Sequence, residues 1–577
     1  MKDNSCPRPS EERVWMKHFS SESQNIEIPE MTAYSFMKKK NLHRQDSVAI
    51  NYYGNKISFR NFFSKIDEVS NSFASLGVKE GDIVSFISVQ VPECIFSIYA
   101  LNKLGAAANT VDPRMDIDSI QRMISESGSK ITVILDYVFP KIEKIVDSLN
   151  QKIVVISLSS SLPYIKRKII DSKMKVNIHY SNDIISWADF IHIGETIVSK
   201  EVPYVGDRLV AITYTGGTTG HPKGVMLTND SLNSVALNFI NCGLDYEPGQ
   251  SFLGIIPIFS SYGLVCGMHM PLCMNLELIP IPKFDPREFG KLVKKFKPNH
   301  MISTPAFYEM LIDSKEMRHA DLSFLITLGS GGDTMNSGIE EKLTQFMKDH
   351  KIRYPLAQGY GMSELSAAAS FCVNRIYKPR SVGVPSPLTV MGIFDPDTGE
   401  ELGYGQTGEI CVSGPTMMKG YWNRPEETSY VMREHDDGTK WIHSGDLGYI
   451  DDEGFVFVIG RLKRMITRFD GHKVFPVNLE GLISAHDSVH NCAVIGVNDM
   501  GHGQGQYPLV IVELIKGTDP DEVCIELYDM CNSSCEERGK PVAVISVDEI
   551  PLTGMGKNDY RSLEKVYSDY DYTGFGV

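Results

Sequence analysis

At 577 residues the chain exceeds what one hydrophobic core supports, so two or more domains are expected. Apolar residues make up 42% and charged residues 22%, with a mean hydropathy of −0.14, which is ordinary for a soluble globular protein. The formal net charge of −15 argues against a nucleic-acid binder working by general electrostatics, and any site for a polyanion must gather positive charge locally.

Residues 1–13 are polar and carry no apolar stretch of the secretory kind. Residues 48–53 and 56–58 read as strands joined by a hairpin turn at Gly54-Asn55. A helical repeat then runs over 59–76 (Phe62, Phe63, Ile66, Val69, Phe73, Leu76) and stops at Gly77. Residues 83–87 form a β-type run, 92–104 a helix and 106–110 a short strand, and 131–135 and 152–158 repeat the alternation. Strands separated by helices imply a parallel sheet covered on both faces.

Residues 162–175 carry Lys166, Arg167, Lys168, Lys173 and Lys175 with Ile165, Ile169, Ile170 and Met174 between them. Such a segment could make weak contact with an anionic membrane surface; a solvated helix face is the commoner reading and is preferred here. Residues 263–282 are the most apolar long stretch, but His269, Asn275, Glu277 and three prolines make it a buried segment, not a membrane span. From about 381 to 460 the texture changes to short β-type runs (388–393, 408–412, 441–442, 455–458) with frequent Gly/Pro turns, as in a small β-barrel or sheet. A further α/β unit follows, with strands at 493–497, 509–514 and 543–547 and a helix near 519–533. The expected fold is α/β: a large N-terminal domain of parallel α/β sheets plus the small β-barrel (1–461), then a smaller mobile α+β domain (462–577). The eleven cysteines form no CxxC pair and meet no His-rich cluster, Cys531 and Cys535 being poor evidence for metal. They read as free thiols of a cytoplasmic protein.

Residues 214–225 read Tyr-Thr-Gly-Gly-Thr-Thr-Gly-His-Pro-Lys-Gly-Val. Four glycines let backbone N–H groups approach an anion, three threonines add hydroxyl donors, and Lys223 supplies charge. The order is not that of a Walker loop, because Lys223 follows no glycine and precedes no Ser or Thr. The alternative is a Gly/Thr surface turn. The stretch resembles, nearly residue by residue, the signature loop of the adenylate-forming superfamily of acyl-CoA synthetases, peptide-synthetase adenylation domains and luciferases. By that resemblance Thr215, Gly216, Gly217, Thr218, Thr219, Gly220 and Lys223 hold the β- and γ-phosphates of ATP, with Thr218 and Lys223 assisting catalysis.

Further segments follow in the superfamily's order. Gln358-Gly-Tyr-Gly-Met-Ser-Glu364 looks like its adenine and metal segment. The resemblance places Gly359, Tyr360, Gly361 and Met362 at the nucleotide, Tyr360 stacking on adenine, Ser363 on the α-phosphate and Glu364 on Mg²⁺. An aromatic face suits a purine, and a carboxylate suits a hard cation. Ser330-Gly-Gly-Asp-Thr334 would form the other wall through Gly331, Gly332 and Asp333, although the family prefers small residues or proline where Asp333 and Thr334 stand. Ser444-Gly-Asp-Leu-Gly448 and Gly460-Arg461 resemble the ribose-binding pair, Asp446 accepting from ribose hydroxyls and Arg461 reaching ribose or phosphate. Lys463 takes the hinge position about which the small domain rotates. Pro551-Leu-Thr-Gly-Met-Gly-Lys557 ends in the lysine that the family uses for adenylation. One departure lies between Ile466 and Gly471, where Thr-Arg-Phe-Asp is about one residue longer than the family pattern. Gly471 would mark the passage of the CoA pantetheine arm.

Pro257-Ile-Phe-Ser-Ser-Tyr-Gly263 matches the family's acyl-pocket entrance, giving Phe259, Ser260, Tyr262 and Gly263 as pocket residues, with Thr304, Phe307 and Gly331 as another wall. Many members carry His or an aromatic in place of Ser260, so gating must differ. No carboxylate stands in this segment to hold a substrate amine, which disfavours an α-amino acid. Leu264, Val265, Met268, Met270, Leu272 and Met274 offer adaptable apolar surface for a fatty or similar acid. The likeness to fatty acyl-CoA ligases implies an ATP- and Mg²⁺-dependent ligase that makes acyl-AMP and transfers the acyl group to CoA. The alternatives are loading of a carrier-protein phosphopantetheine, and a catalytically silent nucleotide-binding regulator.

Overall fold

The computed structural model describes residues 7–173, 176–215, 222–552 and 558–572, and among these the large N-terminal part is organised around two sheets. In one sheet the central strands run in the order Leu209–Tyr214, Ala107–Val111, Ile83–Ile87, Ile131–Leu135, Lys152–Ile156 and Ile184–Ser186, all parallel. Strands Gly224–Thr228 and Gly420–Tyr421 extend it with antiparallel pairing. The second sheet sets strands Ala357–Tyr360, Thr327–Ser330, His300–Ser303, Ser251–Gly254, Glu277–Pro280 and Val48–Tyr52 side by side, again parallel. The β-rich runs are buried on both faces, which is what parallel strands under helical cover require.

Helix Pro92–Lys103 is buried along its whole length, lying against helices Ala33–Asn41 and Phe59–Ser75. A helix apolar all round is the kind that can sit in such an interior. Its few polar groups are matched: Lys103 pairs with Asp67 at 2.7 Å, and Asn102 donates to Asn229.

Strand and helix expectations hold to within a few residues, with one correction. The hairpin turn is Tyr53-Gly54, not Gly54-Asn55: Asn55 pairs with Tyr52, and the left-handed φ values of 52° and 101° fall on Tyr53 and Gly54. A two-residue hairpin of this hand needs positive φ at both loop positions.

The β-rich subdomain is an antiparallel five-stranded sheet of Val390–Phe394, Gly408–Ser413, Lys440–Ile450, Met432–Glu434 and Val456–Arg461. Its long strand Lys440–Ile450 carries the Ser444-Gly-Asp motif at a bulge, where Gly445 takes a φ of 69°. Beyond Ile466 the apolar residues form clusters of their own around strands Val489–Asn498, Gln506–Leu514 and Ala543–Val547, backed by helix Pro520–Ser534. Among the described residues no helix is long and apolar enough to cross a membrane.

Candidate functional site

Both large sheets aim the carboxyl ends of their parallel strands at one cleft of about 3570 Å³. Asp112, Leu158 and Thr215 on one side and Thr304, Gly331 and Tyr360 on the other stand at or just past those ends and line it. In open α/β sheets this is where ligands bind.

The stem of the Gly/Thr loop is an antiparallel pair, Tyr214 opposite Gly224, closed by the Thr215 N–H donating to the Lys223 carbonyl at 3.1 Å. Gly216, Gly217, Thr218, Thr219 and Gly220 lie outside the described residues, as does Lys557. Lys223 lies with its Nζ 4.8 Å from the Tyr421 ring centre. The Tyr421 hydroxyl in turn donates to Glu364 Oε1 at 2.5 Å, so the loop lysine and the expected metal carboxylate are joined through one phenol. Burial, then the Glu364 charge, pushes the Tyr421 hydroxyl well above its ordinary range, so it stays a donor. Glu364 is buried and lines the cleft. A carboxylate here suits a hard cation such as Mg²⁺, which takes its remaining ligands from phosphate and water.

Tyr360 and Asp446 meet directly, the Tyr360 hydroxyl donating to Asp446 Oδ2 at 2.7 Å. Arg461 Nε sits 2.7 Å from Asp446 Oδ1, and the two residues are cross-strand partners. The adenine and ribose motifs, 86 residues apart in sequence, are thus one unit. Gly361 is a close-approach glycine, since a Cβ there would stand 1.8 Å from the Ala367 carbonyl oxygen. Ser363 Oγ accepts from Ser261 Oγ at 2.9 Å, tying the phosphate segment to the acyl-pocket entrance. Gly331 and Gly332 pack against the Tyr262 ring, which lies within 3.4–3.7 Å of where their Cβ atoms would be. Asp333 and Thr334 are exposed at the cleft rim.

At the acyl entrance Ser260 serves the backbone: its hydroxyl donates to the Pro257 carbonyl at 2.8 Å and accepts the Gly263 N–H at 3.2 Å. Gly263 allows no side chain, for a Cβ would fall 2.0 Å from the Pro257 oxygen. Phe259 lies under the Arg114 guanidinium at 5.2 Å, and Phe307 packs edge-on against Phe284 at 5.0 Å. The next turns are a π-helix, Tyr262–His269, continuing as Met270–Cys273. Tyr262 and Cys266 of the π-helix, and Met270 and Met274 beyond it, line the cleft. Leu264, Val265, Met268 and Leu272, expected to offer ligand surface, are core residues facing away from it. Phe239, Leu244, Phe252 and Leu276 complete the apolar wall.

Lys463 is exposed on a short 3₁₀ turn, Leu462–Arg464. Gly471, at a φ of 80°, closes the hairpin between Ile466–Thr467 and Lys473–Val474. The longer segment before it is absorbed by packing: Phe469 stacks on His502 at 3.5 Å and Arg468 covers the Tyr507 ring at 4.2 Å. The ends of the tail segment are pinned, Asn558 Nδ2 donating to the Cys492 carbonyl at 2.9 Å, and Asn558 lines the same cleft.

Sequence reasoning passed over Tyr421, Glu409 and His443. Glu409 Oε1 accepts the Gly445 N–H at 2.9 Å while Oε2 stands 2.8 Å from His443 Nδ1, so one carboxylate holds the turn that presents Asp446. Cys411 Sγ lies 3.3 Å from the same Nδ1, and burial pushes its thiol well above the ordinary range. Nothing local flags these residues; only strand pairing brings them to the site.

The stem residues Thr215 and Lys223, the Tyr360 ring and the carboxylates of Asp446 and Glu364 line one cleft at the strand ends, the residues that the adenylate-forming superfamily's motifs bring together. The chain belongs to the AMP-binding enzyme family, whose pattern it matches over residues 37–422, with the AMP-binding enzyme C-terminal domain over 478–557. It is 29% identical to the long-chain-fatty-acid–CoA ligase of Bacillus subtilis, spanning 95% of this chain and 96% of that protein. It is 27% identical to a probable 4-coumarate–CoA ligase of Dictyostelium discoideum over 94% and 96% of the two chains. ATP-bound MatB from Rhodopseudomonas palustris shares the fold, with a TM-score of 0.79 at 24% identity over 93% of this chain and 99% of that one. ATP and CoA are the substrates of this family's AMP-forming acid–CoA ligases.

Proposed function

We propose that this protein activates an apolar, fatty-type carboxylic acid as its acyl-AMP and passes the acyl group to CoA. The observation that carries the reading is the apolar chamber of Phe239, Phe252, Met270 and Met274 opening beside Tyr360, Asp446 and Glu364 in one cleft. In the first half-reaction the substrate carboxylate attacks the α-phosphorus of ATP and pyrophosphate leaves. Asp446 and Arg461 orient the ribose, Tyr360 the adenine, and the loop from Thr215 to Lys223 the leaving phosphates. Glu364 would hold Mg²⁺, which when bound offsets negative charge on the phosphates. Lys557, on the tail segment, sets a cation against the carboxylate and α-phosphate as charge develops. In the second half-reaction the small lobe (462–577) turns about Lys463 against the large lobe (1–461), Gly471 borders the pantetheine path, and the CoA thiol displaces AMP.

One observation favours a second reading of the acid. Ser330 Oγ and Gln358 Oε1 are buried at the cleft without a hydrogen-bond partner among the described residues. A hydroxylated aryl acid would satisfy them, whereas an alkyl chain would not. ATP–pyrophosphate exchange and CoA-thioester formation, measured over a panel of alkanoic and hydroxycinnamic acids, test both. Turnover of alkanoic acids is expected; turnover confined to hydroxylated aryl acids selects the second reading, and silence with every acid overturns both. Loading of a carrier protein in place of CoA would show as thioester on the carrier alone.

A further inference from the structure

Helix Tyr164–Lys173 turns outward residues that a soluble surface has little use for. Tyr164 is 69% exposed, Ile165 73% and Ile169 49%, and Lys168 stands between them with its Nζ 4.7 Å from the Tyr164 ring. At 100° per residue these four occupy one arc of the helix, with Lys166 on one flank and Arg167 on the other. An exposed apolar arc flanked by cations is the pattern of a helix lying in a lipid interface.

The fold adds what the sequence does not contain. Lys166 Nζ donates to the Tyr53 carbonyl at 2.6 Å, and Lys295 covers the ring of the same tyrosine at 5.4 Å. Helix Phe289–Phe296 therefore lies beside the first one and brings Lys295 to this face, with Lys294 and then Lys297 exposed next to it in the chain. Burial, then the neighbouring Lys166 charge, holds the Lys295 ammonium below its ordinary range, as expected where cations crowd. The acids that meet these cations are Asp171, 3.7 Å from Arg167, Glu288, paired with Lys291, and Glu93, which is buried and feels the Arg167 charge. In a chain of net charge −15 this is a basic island built from two segments more than a hundred residues apart.

We infer that this face docks on an anionic lipid membrane, Ile165 and Ile169 entering the interface and the lysines and Arg167 meeting the headgroups. Its position relative to the site gives the docking a use. Leu158, a few residues before the helix, and Lys283 and Phe284, shortly before the second helix, line the cleft. A membrane under the two helices would lie near the acyl entrance, where an acid held in lipid could transfer. Docking itself does not depend on which acid is used.

The test is co-sedimentation of the full chain, without acid or nucleotide, with vesicles of phosphatidylcholine alone and of phosphatidylcholine with about a third phosphatidylglycerol. Binding to the anionic vesicles that is lost in high salt is expected, with little binding to the neutral ones. Each cation near an anionic surface is worth about a fivefold change in binding constant, so Lys166→Gln, Arg167→Gln and Lys168→Gln together should weaken it about a hundredfold. Ile165→Ser with Ile169→Ser should release the protein without moving its melting temperature, since both side chains are solvent-exposed. Failure of the native chain to bind anionic vesicles, or equal binding by the Ile165→Ser/Ile169→Ser variant, overturns the inference; capture by a protein partner instead would appear as the first of these.

Discussion

Glu93 is a carboxyl sealed inside the large domain, 4% exposed, with the Ser161 hydroxyl donating to it at 2.7 Å. Burial pushes it up to about 7, the Ser161 bond and nearby cations offsetting only part of the effect. A carboxyl raised in the folded state keeps its proton where the unfolded chain has lost it. Stability should therefore fall as pH rises from about 4.5 to about 7 and level off above, by up to about 3 kcal/mol. Glu93→Gln keeps the shape and removes the titration. Its melting temperature should exceed the native protein's by a margin that grows between pH 5 and pH 8; a constant margin would show that Glu93 does not titrate there. Lys557 poses a different residue-scale question, since its proposed role is in chemistry alone. Lys557→Ala should slow ATP–pyrophosphate exchange by on the order of 10²-fold, while conversion of supplied acyl-AMP to acyl-CoA changes little. Equal losses in the two steps would mean that the cation acts elsewhere.

At the scale of elements, strand Lys440–Ile450 presents Asp446 only because strand Gly408–Ser413 holds the turn before it. Glu409→Ala would leave the Gly445 N–H and the His443 ring without their carboxylate and loosen the Asp446 turn. In its proposed role Asp446 would hold the ribose alike in ground and transition states, so KM for ATP should rise on the order of tenfold with kcat changed less. Glu409→Gln, which can still accept from Gly445, should lose less; a fall in kcat alone would contradict this account. The same strands show what was readable beforehand. Ser444-Gly-Asp and Gly460-Arg461 were visible because they resemble the superfamily's ribose-binding pair; taken singly, each reads as a Gly-Asp turn or a surface arginine. Glu409 and Tyr421 were not, because each earns its place through a partner on a remote strand, where local pattern carries no signal. The π-helix is a similar case: its apolar residues predicted a wall, but the wider turn sends Cys266 to the cleft and Met268 to the core. Elements with one strong period, such as Phe59–Ser75 and Ile83–Ile87, were read nearly to the residue because burial and periodicity agree there.

For the whole molecule the proposed turning of the small lobe requires a pivot between two anchored segments. Arg461 is tied backward, its Nε 2.7 Å from Asp446 on the β-rich sheet. Arg464 is tied forward, its Nη2 2.5 Å from Glu480 and its guanidinium 3.5 Å from the Tyr560 ring, both in the C-terminal part. Only Leu462 and Lys463 lie between these anchors, and Lys463 is exposed, so the rotation proposed above would be absorbed in about two residues. Across the boundary helix Pro476–Ile483 packs on strand Val456–Arg461, with Val477 against Gly460, and Lys473 meets Asp397 at 3.3 Å; an exposed pair of that kind is worth about 1 kcal/mol or less. Lys463→Pro fixes φ at the pivot and should bias the chain to one lobe arrangement. If the arrangement described here is the one for adenylation, as Asn558 lining the Asp446 cleft supports, ATP–pyrophosphate exchange should survive in this variant. Thioester formation from supplied acyl-AMP and CoA should fall by about tenfold or more, because the second arrangement must then be reached against the fixed backbone. Loss of exchange with thioester formation intact would assign the described arrangement to the second half-reaction, and no change in either would move the pivot away from Lys463.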